Sequence, residues 1–160
     1  MKVFLDANAV LKRYVAERGS DAMARVFLAA DGGRVSLHYS LWTLGECLGV
    51  LDRLDRQGRL APGGLARGRR ALLGESARLV RLGVLLIGPL RARLVRRSWT
   101  LLLKHRLYQA DAVQIATALH ARADVLLTSD ARVAVAAAAE GLRTLDPETQ
   151  GSEVAKMLRE

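Results

Sequence analysis

The stretch from Tyr108 to Asp130, YQADAVQIATALHARADVLLTSD, combines an Ala-rich amphipathic helix with a short apolar strand. The helix carries Asp111 in its first turn, and the strand over 125–127 (VLL) leads to Asp130. Apolar residues at helical spacing, followed by a short apolar run between polar residues, are the patterns of these two elements. The stretch therefore predicts that a helix and a strand of an α/β fold deliver two carboxylates to one place.

The same alternation of short strands and amphipathic helices continues through the rest of the chain. Strands are predicted over 2–5, 34–39, 84–87, 125–127 and 142–145, and helices over 8–17, 23–30, 44–54, 65–81, 89–106, 110–123 and 132–140. Pro89 would stand at the first position of its helix, where proline is favoured. The alternation predicts a three-layer α/β/α sandwich with a short, mostly parallel central sheet. Residues 1–150 would form one domain, and residues 151–160 a C-terminal tail that is helical or frayed.

Length and composition indicate one domain in a reducing compartment. A chain of 160 residues can bury a sizeable core, and since only 4% of the residues are aromatic, Leu, Val and Ala must build it. The single cysteine, Cys47, excludes an intrachain disulfide and is expected to pack in the core. No signal-peptide pattern and no apolar run of membrane-spanning length is present, so we expect a cytoplasmic protein.

The chain is strongly basic, with a net charge of +9 and a pI near 10.7. Thirteen Arg and one Lys lie between Arg53 and Arg106, against only two acids. This charge predicts an acidic partner, with nucleic acid favoured over an anionic membrane. Spaced arginines also occur on solvated helix faces, but their number favours a phosphate-binding surface that includes Arg67, Arg69 and Arg70.

Several acids lie where the predicted topology would gather side chains. Asp6 follows the first strand, Asp130 follows the fourth, and Asp111 begins a helix. Ligands of parallel α/β sheets bind outside the carboxyl ends of the strands. Taken singly, each aspartate also has a simpler explanation, as a helix cap or a partner of the helix dipole. Glu46 lies opposite the apolar stripe of its helix, a position that by itself favours an exposed glutamate.

Carboxylates gathered at one edge of a sheet would repel one another unless a cation neutralised them. All-oxygen ligands select hard ions such as Mg²⁺ and Mn²⁺, which serve phosphoryl transfer. The three histidines, His38, His105 and His120, do not lie at zinc-ligand spacing. Metal-assisted attack on a phosphodiester needs no Ser-His or Cys-His pair, and the chain offers none.

Four segments closely resemble the four acidic motifs of PIN-domain nucleases. They are FLDANAVLKRYV with Asp6, TLGECLGVL with Glu46, YQADAVQIATAL with Asp111 and LLTSD with Asp130, in the order and spacing of the family across nearly the whole chain. The small, basic format is similar to that of the VapC toxins of prokaryotic toxin–antitoxin pairs. The resemblance implies a metal-dependent ribonuclease in which these four acids surround Mg²⁺ or Mn²⁺. It also implies an α/β/α sandwich, frequent homodimerisation and inhibition by a cognate antitoxin protein.

Polar residues near the acids also match the motifs. Asn8, Thr128 and Ser129 occupy positions that, by the resemblance, support the cluster. Many relatives carry a further acid shortly after the last aspartate, whereas this chain has Arg132 and Val133 there. The departure implies that one metal binds firmly and a second only with substrate.

Two other functions remain open on the sequence alone. A phosphatase of the haloacid dehalogenase type also begins with an apolar strand ending in aspartate, but it needs a second aspartate two residues later, where this chain has Asn8. The other alternative is a PIN-like module that holds RNA or a protein partner without cleaving it. Trp42 and Trp99 are expected to be buried, or at a subunit contact, rather than stacked on RNA.

Overall fold

The computed structural model describes residues 1–159, which contain five strands and eight helices. The strands are β1 (Lys2–Leu5), β2 (Ser36–Ser40), β3 (Leu85–Gly88), β4 (Val125–Leu127) and β5 (Arg143–Leu145). The helices are α1 (Ala7–Leu11), α2 (Ser20–Asp31), α3 (Leu41–Arg56), α4 (Gly64–Arg81), α5 (Ala92–His105), α6 (Gln109–Ala121), α7 (Ala131–Ala139) and α8 (Gly151–Met157).

The five strands form one parallel sheet in the order β3-β2-β1-β4-β5. Phe4 of the central strand β1 stands opposite His38 of β2 on one side and opposite Leu126 of β4 on the other. The chain first winds outward from β1 to β3 and then returns to add β4 and β5 on the other side of β1. Winding thus reverses between β1 and β4, the point at which open α/β sheets bind their ligands.

Alternate side chains of the strands face two separate hydrophobic cores. Val3 and Leu5 face the larger core, which also contains side chains of α1 to α4 and α8, including Cys47. Phe4 and Leu126 face the smaller core, which α5, α6 and α7 cover with a high proportion of alanine. Because both faces of the sheet are covered by helices, the predicted α/β/α sandwich is confirmed, with a sheet that is wholly parallel.

The first helix is shorter than its sequence pattern predicts. α1 ends at Leu11 rather than near Glu17. The chain turns after Leu11 so that Arg13 and Tyr14 reach Glu75 of α4, with N–O and O–O distances of 2.9 Å. These tertiary hydrogen bonds override the helical spacing of the apolar side chains in this segment.

The helix after β3 begins later than predicted. α5 starts at Ala92, and Pro89 lies in the connection that follows β3 instead of at the first helical position. The N-cap is Arg91, whose backbone is extended. At the other end of the chain, α8 packs against α2 and buries Val154 and Met157.

The two tryptophans are not buried in the core, which was one of the two placements expected for them. Trp42 is 44% exposed and Trp99 is 52% exposed, so neither is buried within the described chain. No helix within residues 1–159 combines the length and the apolar character needed to cross a membrane.

Candidate metal centre

Asp6 and Asp130 lie at the point where the winding of the sheet reverses. Asp6 follows β1 directly, and its backbone N–H donates to the carbonyl of Leu127 at the end of β4 over 3.1 Å. Each aspartate also caps a helix through Oδ1: Asp6 accepts the N–H of Ala7 at 2.7 Å, and Asp130 accepts that of Arg132 at 2.8 Å. The capping explanation is therefore correct for both residues, and it occupies one carboxylate oxygen of each.

The second oxygen of Asp6 is held by polar side chains from both strands. Asn8 Nδ2 and Thr128 Oγ1 each donate to Asp6 Oδ2 over 2.7 Å. Asn8 Oδ1 accepts the backbone N–H of Ser129 over 2.8 Å, which ties the two strand-end loops together. Asp6 is only 7% exposed, so these donors replace the water that its carboxylate loses on folding.

Asp111 lies at the start of α6 and is half-buried. Its carboxylate lies near the backbone N–H of Tyr108, the N-cap residue of that helix, which lowers the pKa of Asp111 against the larger effect of burial. A carboxylate at the third helical position that reaches back to the N-cap N–H forms half of a capping box. Like the other two aspartates, Asp111 thus stabilises a helix end while it adds charge to the edge of the sheet.

Glu46 is held between α3 and α6. Gln114 Nε2 donates to Glu46 Oε2 over 2.7 Å, and Trp42 lies near enough to the same carboxylate to lower its pKa. Gln114 is buried, and its Oε1 accepts the hydroxyls of Ser40 and Thr43 over 3.0 Å each. Glu46 is therefore half-buried and fixed, unlike the exposed glutamate that its position on the helical wheel favoured.

The four carboxylates influence one another electrostatically. Burial raises the pKa of Asp6, Glu46 and Asp111 above the ordinary values for these side chains. The charge of Asp130 raises the pKa of Asp6 and of Asp111 further, and the charges of Asp6 and Asp111 do the same for Glu46. The carboxylates therefore form one cluster of negative charge, which disfavours the ionisation of Asp6, Glu46 and Asp111.

The chemistry of this cluster fits a hard divalent cation, although the carboxylates turn towards protein donors. As the side chains stand, no three His, Cys, Asp or Glu residues within 1–159 are arranged to hold a metal ion. Asp6 Oδ2 faces Asn8 and Thr128, and Glu46 Oε2 faces Gln114. The backbone fixes where the four carboxylates lie, and rotation of a side chain reorients a carboxylate without moving the backbone. Oxygen ligands favour a hard ion such as Mg²⁺ or Mn²⁺, whose charge would relieve the repulsion among the carboxylates.

Sequence reasoning missed two residues that organise this region. Gln114 follows Asp111 by three residues, so both lie on one face of α6, and a lone amide within an Ala-rich run was the available signal. Asp146 follows β5 in the way that Asp6 follows β1, and its Oδ1 accepts the hydroxyl of Ser129 over 2.7 Å. The rule that polar residues gather at strand ends would have found it.

Arg67, Arg69 and Arg70 are exposed on α4. None of the three takes part in an ion pair within the part of the chain that the structure describes. α4 packs closely on the helix that carries Glu46, because a Cβ added at Gly68 would approach Leu51 of α3 to 3.2 Å. Binding of RNA by these arginines stays a prediction.

The chain matches one protein family by sequence and several solved structures by fold. A family model described as the PIN domain matches residues 3–139, a range that contains all four acids. No curated protein matches the sequence. The fold is similar to that of Mycobacterium tuberculosis VapC20, a toxin that cleaves the sarcin–ricin loop, with 18% identity over 84% of this chain and 94% of that chain and a TM-score of 0.60.

Two further solved structures are also similar. PAE2754 from Pyrobaculum aerophilum shares 16% identity over 98% of this chain and 99% of that chain, with a TM-score of 0.62. FitAcB from Neisseria gonorrhoeae shares 18% identity over 91% of this chain and 97% of that chain, with a TM-score of 0.62. At these identities the three structures show a common fold.

Proposed function

Because the chain belongs to the PIN domain family, we propose that it is an endoribonuclease that cleaves phosphodiester bonds in RNA with the help of Mg²⁺ or Mn²⁺. The observation that carries the proposal is the placement of Asp6 and Asp130 at the reversal point of the sheet, with Glu46 and Asp111 close enough to feel the charge of Asp6. Phosphoryl transfer depends mainly on positioned charge, which such a cluster can supply by holding cations.

In this proposal the four acids are the metal ligands. When bound, a divalent cation supplies positive charge to the phosphodiester and makes water a stronger nucleophile. Asp6 is the most constrained ligand, because Asn8 and Thr128 fix its Oδ2. Gln114 has the corresponding role for Glu46 and sets the direction in which that carboxylate points. Partners of this kind are as important to a metal site as its ligands.

The basic surface supports RNA as the substrate. The net charge of +9 attracts polyanions, and Arg67, Arg69 and Arg70 are exposed and unpaired among the described residues. We assign these arginines to contacts with the phosphates of the RNA strand on either side of the cleaved bond.

We further propose that the protein is a VapC-type toxin of the cytoplasm, inhibited by a cognate antitoxin. The similarity of its fold to that of the toxin VapC20 supports this assignment. The protein would act as a homodimer, which the exposed apolar residues of α5 support: Trp99 is 52% exposed and Leu103, one turn later, is 76% exposed.

Cleavage of a labelled single-stranded RNA with Mg²⁺ or Mn²⁺, and with EDTA, tests the proposal. We expect cleavage that requires the metal and that is lost in Asp6→Asn and in Asp111→Asn, while circular dichroism shows that both variants remain folded. Asp52→Asn, an exposed position on α3 that pairs with Arg56, is the matched control and keeps full activity. Cleavage in EDTA, or full activity in either active-site variant, would contradict the metal mechanism. Binding of RNA without cleavage in either metal would favour the non-cleaving module.

A further inference from the structure

We infer that Arg132 is a positioning residue that binds a backbone phosphate of the RNA immediately beside the four acids. The inference rests on the proposed function for its substrate class. It assigns a role to a cation that stands next to the acidic cluster and that the family resemblance leaves unexplained.

The position of Arg132 follows from the helix that carries it. Arg132 lies in the first turn of α7, two residues after Asp130, and its backbone N–H donates to Asp130 Oδ1 over 2.8 Å. Its guanidinium Nη2 donates to the backbone carbonyl of Arg106 over 2.8 Å, in the connection between α5 and α6. This contact leads the side chain from α7 towards the start of α6, where Asp111 lies. The positive charge of Arg132 accordingly opposes the rise in the pKa of Asp111.

Arg132 lies outside the ion pairs among the described residues, unlike Lys104 and His105 at the end of α5. Lys104 Nζ and His105 Nε2 both lie against Glu140 Oε1, at 2.8 and 2.6 Å, so that carboxylate balances the charge at the end of α5. Arg132 takes part in no ion pair within residues 1–159. A guanidinium has five N–H donors, and the carbonyl of Arg106 occupies one of them.

The space beside Arg132 can hold the phosphate. A surface cavity of about 360 Å³ lies between the end of α5 and the start of α7 and is lined by His105, Ala131, Arg132, Val135 and Ala136. The cavity is open to solvent, and Arg132 contributes a positive charge to a lining that is otherwise mostly apolar. The planar guanidinium suits two phosphate oxygens at once.

The repulsion between the acidic cluster and RNA explains why a cation is needed at the position of Arg132. Four carboxylates repel an approaching RNA strand, and a divalent cation offsets that repulsion only at the reacting phosphate. A fixed guanidinium beside Asp111 would hold the neighbouring phosphate against the same repulsion. The simpler explanation is that Arg132 only tethers the connection between α5 and α6 through the carbonyl of Arg106.

The two explanations differ in how they depend on charge. The experiment measures binding of a labelled single-stranded RNA in EDTA over a range of salt concentrations, together with the Tm of each variant. We expect Arg132→Ala to weaken binding by roughly three- to tenfold and to reduce the slope of log K against log salt by about 0.7, the contribution of one phosphate on a single strand. Arg132→Lys keeps the charge and should keep most of the slope. The control is Arg25→Ala, because Arg25 is exposed on α2 at the opposite face of the sheet. It should leave the affinity for RNA and the salt slope unchanged.

A third variant separates the loss of charge from the loss of a polar side chain. Arg132→Gln keeps a polar side chain without charge, although its shorter amide does not reach the carbonyl of Arg106, so we expect it to bind RNA as weakly as Arg132→Ala. Binding by Arg132→Gln or Arg132→Ala with the affinity and salt slope of the wild type would overturn the inference, as would failure of the wild type to bind RNA at all. Because binding is measured in EDTA, a wild type that binds through Arg132 but does not cleave with Mg²⁺ or Mn²⁺ would contradict only the proposed nuclease activity. In a protein that cleaves, Arg132→Ala should raise KM more than it lowers kcat.

Discussion

Gln114 donates from Nε2 to Oε2 of Glu46 over 2.7 Å and thereby fixes the one carboxylate of the cluster that does not follow a strand or begin a helix. The amide cannot turn over, because its Oε1 accepts the hydroxyls of Ser40 and Thr43. Glu46 is thus oriented by α6, through a Gln114 side chain that the N-terminal end of α3 holds in place. The contact with Gln114 explains physically why Glu46 lies near the other acids. The helical wheel could not give this reason.

Gln114→Glu should impair the metal site while it preserves the shape of the side chain. The new carboxylate would still accept the hydroxyls of Ser40 and Thr43, but it would meet Glu46 without a donor. We expect metal-dependent RNA cleavage to fall by about 10- to 100-fold, as for the loss of other partners of metal ligands. Gln57→Glu, which adds the same charge at the exposed end of α3, should retain the wild-type rate. Equal rates in Gln114→Glu and the wild type would show that the orientation of Glu46 does not matter.

Asp111→Asn should stabilise the protein in EDTA. Burial and the charges of Asp130 and Asp6 raise the pKa of Asp111 in the folded state, so its ionised form costs stability above that pKa and costs nothing below the unfolded value. A relief of about 1 kcal/mol corresponds to about 2–4 °C in Tm for a chain of this length. Thermal unfolding at pH 7 should show this gain, and the difference from the wild type should shrink as the pH falls towards 3.

In the presence of Mn²⁺ the wild type should become more stable than Asp111→Asn, the reverse of their order in EDTA. The wild type gains stability by binding the cation, by about 2.7 kcal/mol at one hundred times the dissociation constant, whereas Asp111→Asn should gain much less. Asp55→Asn on the exposed side of α3 should respond to Mn²⁺ as the wild type does. A variant of Asp111 that is less stable in EDTA, or that gains as much from Mn²⁺, would exclude Asp111 from a repulsive metal-binding cluster.

The fold could be predicted because its determinants are local. The central strands β1 and β4 are short apolar runs that are buried on both faces, whereas the edge strands β3 and β5 are partly exposed. Most helices repeat their apolar residues with the helical period. The predicted bounds of α1 and α5 were wrong, because contacts distant in sequence and the path of the connecting segments set where these helices end and begin. Tyr14 leaves the helical pattern to reach Glu75, and Pro89 lies in a connection rather than in a helix. Neither contact is visible in the spacing of nearby residues.

The candidate site was predictable to an unequal degree. Asp6 and Asp130 follow from the rule for strand ends, since the sheet alone brings them together. Glu46 depended on family resemblance, because its contact with Gln114 joins residues 68 positions apart. The contact of Arg132 was equally hidden in the sequence, because its partner, the carbonyl of Arg106, lies 26 positions earlier. Side-chain contacts of this kind depend on how helices pack, which no periodicity encodes.

Glu75 should contribute stability that depends on pH. Burial opposes its ionisation, but hydrogen bonds from Arg13 and Tyr14 outweigh this effect and hold its pKa below the ordinary value. Its contribution is therefore present above the unfolded pKa and is lost as the pH falls through the lower folded pKa. We expect Glu75→Gln to lower the free energy of unfolding by about 1–3 kcal/mol at pH 7, and by much less near pH 3, in urea titrations. Asp52→Asn, whose ion pair with Arg56 is exposed, should cost less than about 1 kcal/mol. A Glu75→Gln effect that is the same at both pH values would mean that only packing was lost.

Neutralising Arg67, Arg69 and Arg70 together tests the basic surface of α4. All three are exposed and outside ion pairs among the described residues, so their replacement by Gln should leave the Tm nearly unchanged. Each phosphate contacted on a single strand contributes about 0.7 to the salt slope of binding, and the triple variant should therefore lose about 2.

The control for that variant must remove the same charge elsewhere. Arg25, Arg34 and Arg122 are also exposed, and the last two precede strands β2 and β4 at the edge of the sheet opposite the acids. Replacing these three by Gln lowers the net charge equally, so long-range attraction falls by a similar amount in both variants. If RNA lies along α4, only the first variant changes the salt slope by about 2. Equal slopes in the two variants would mean that the arginines of α4 act through net charge alone and form a solvated helix face.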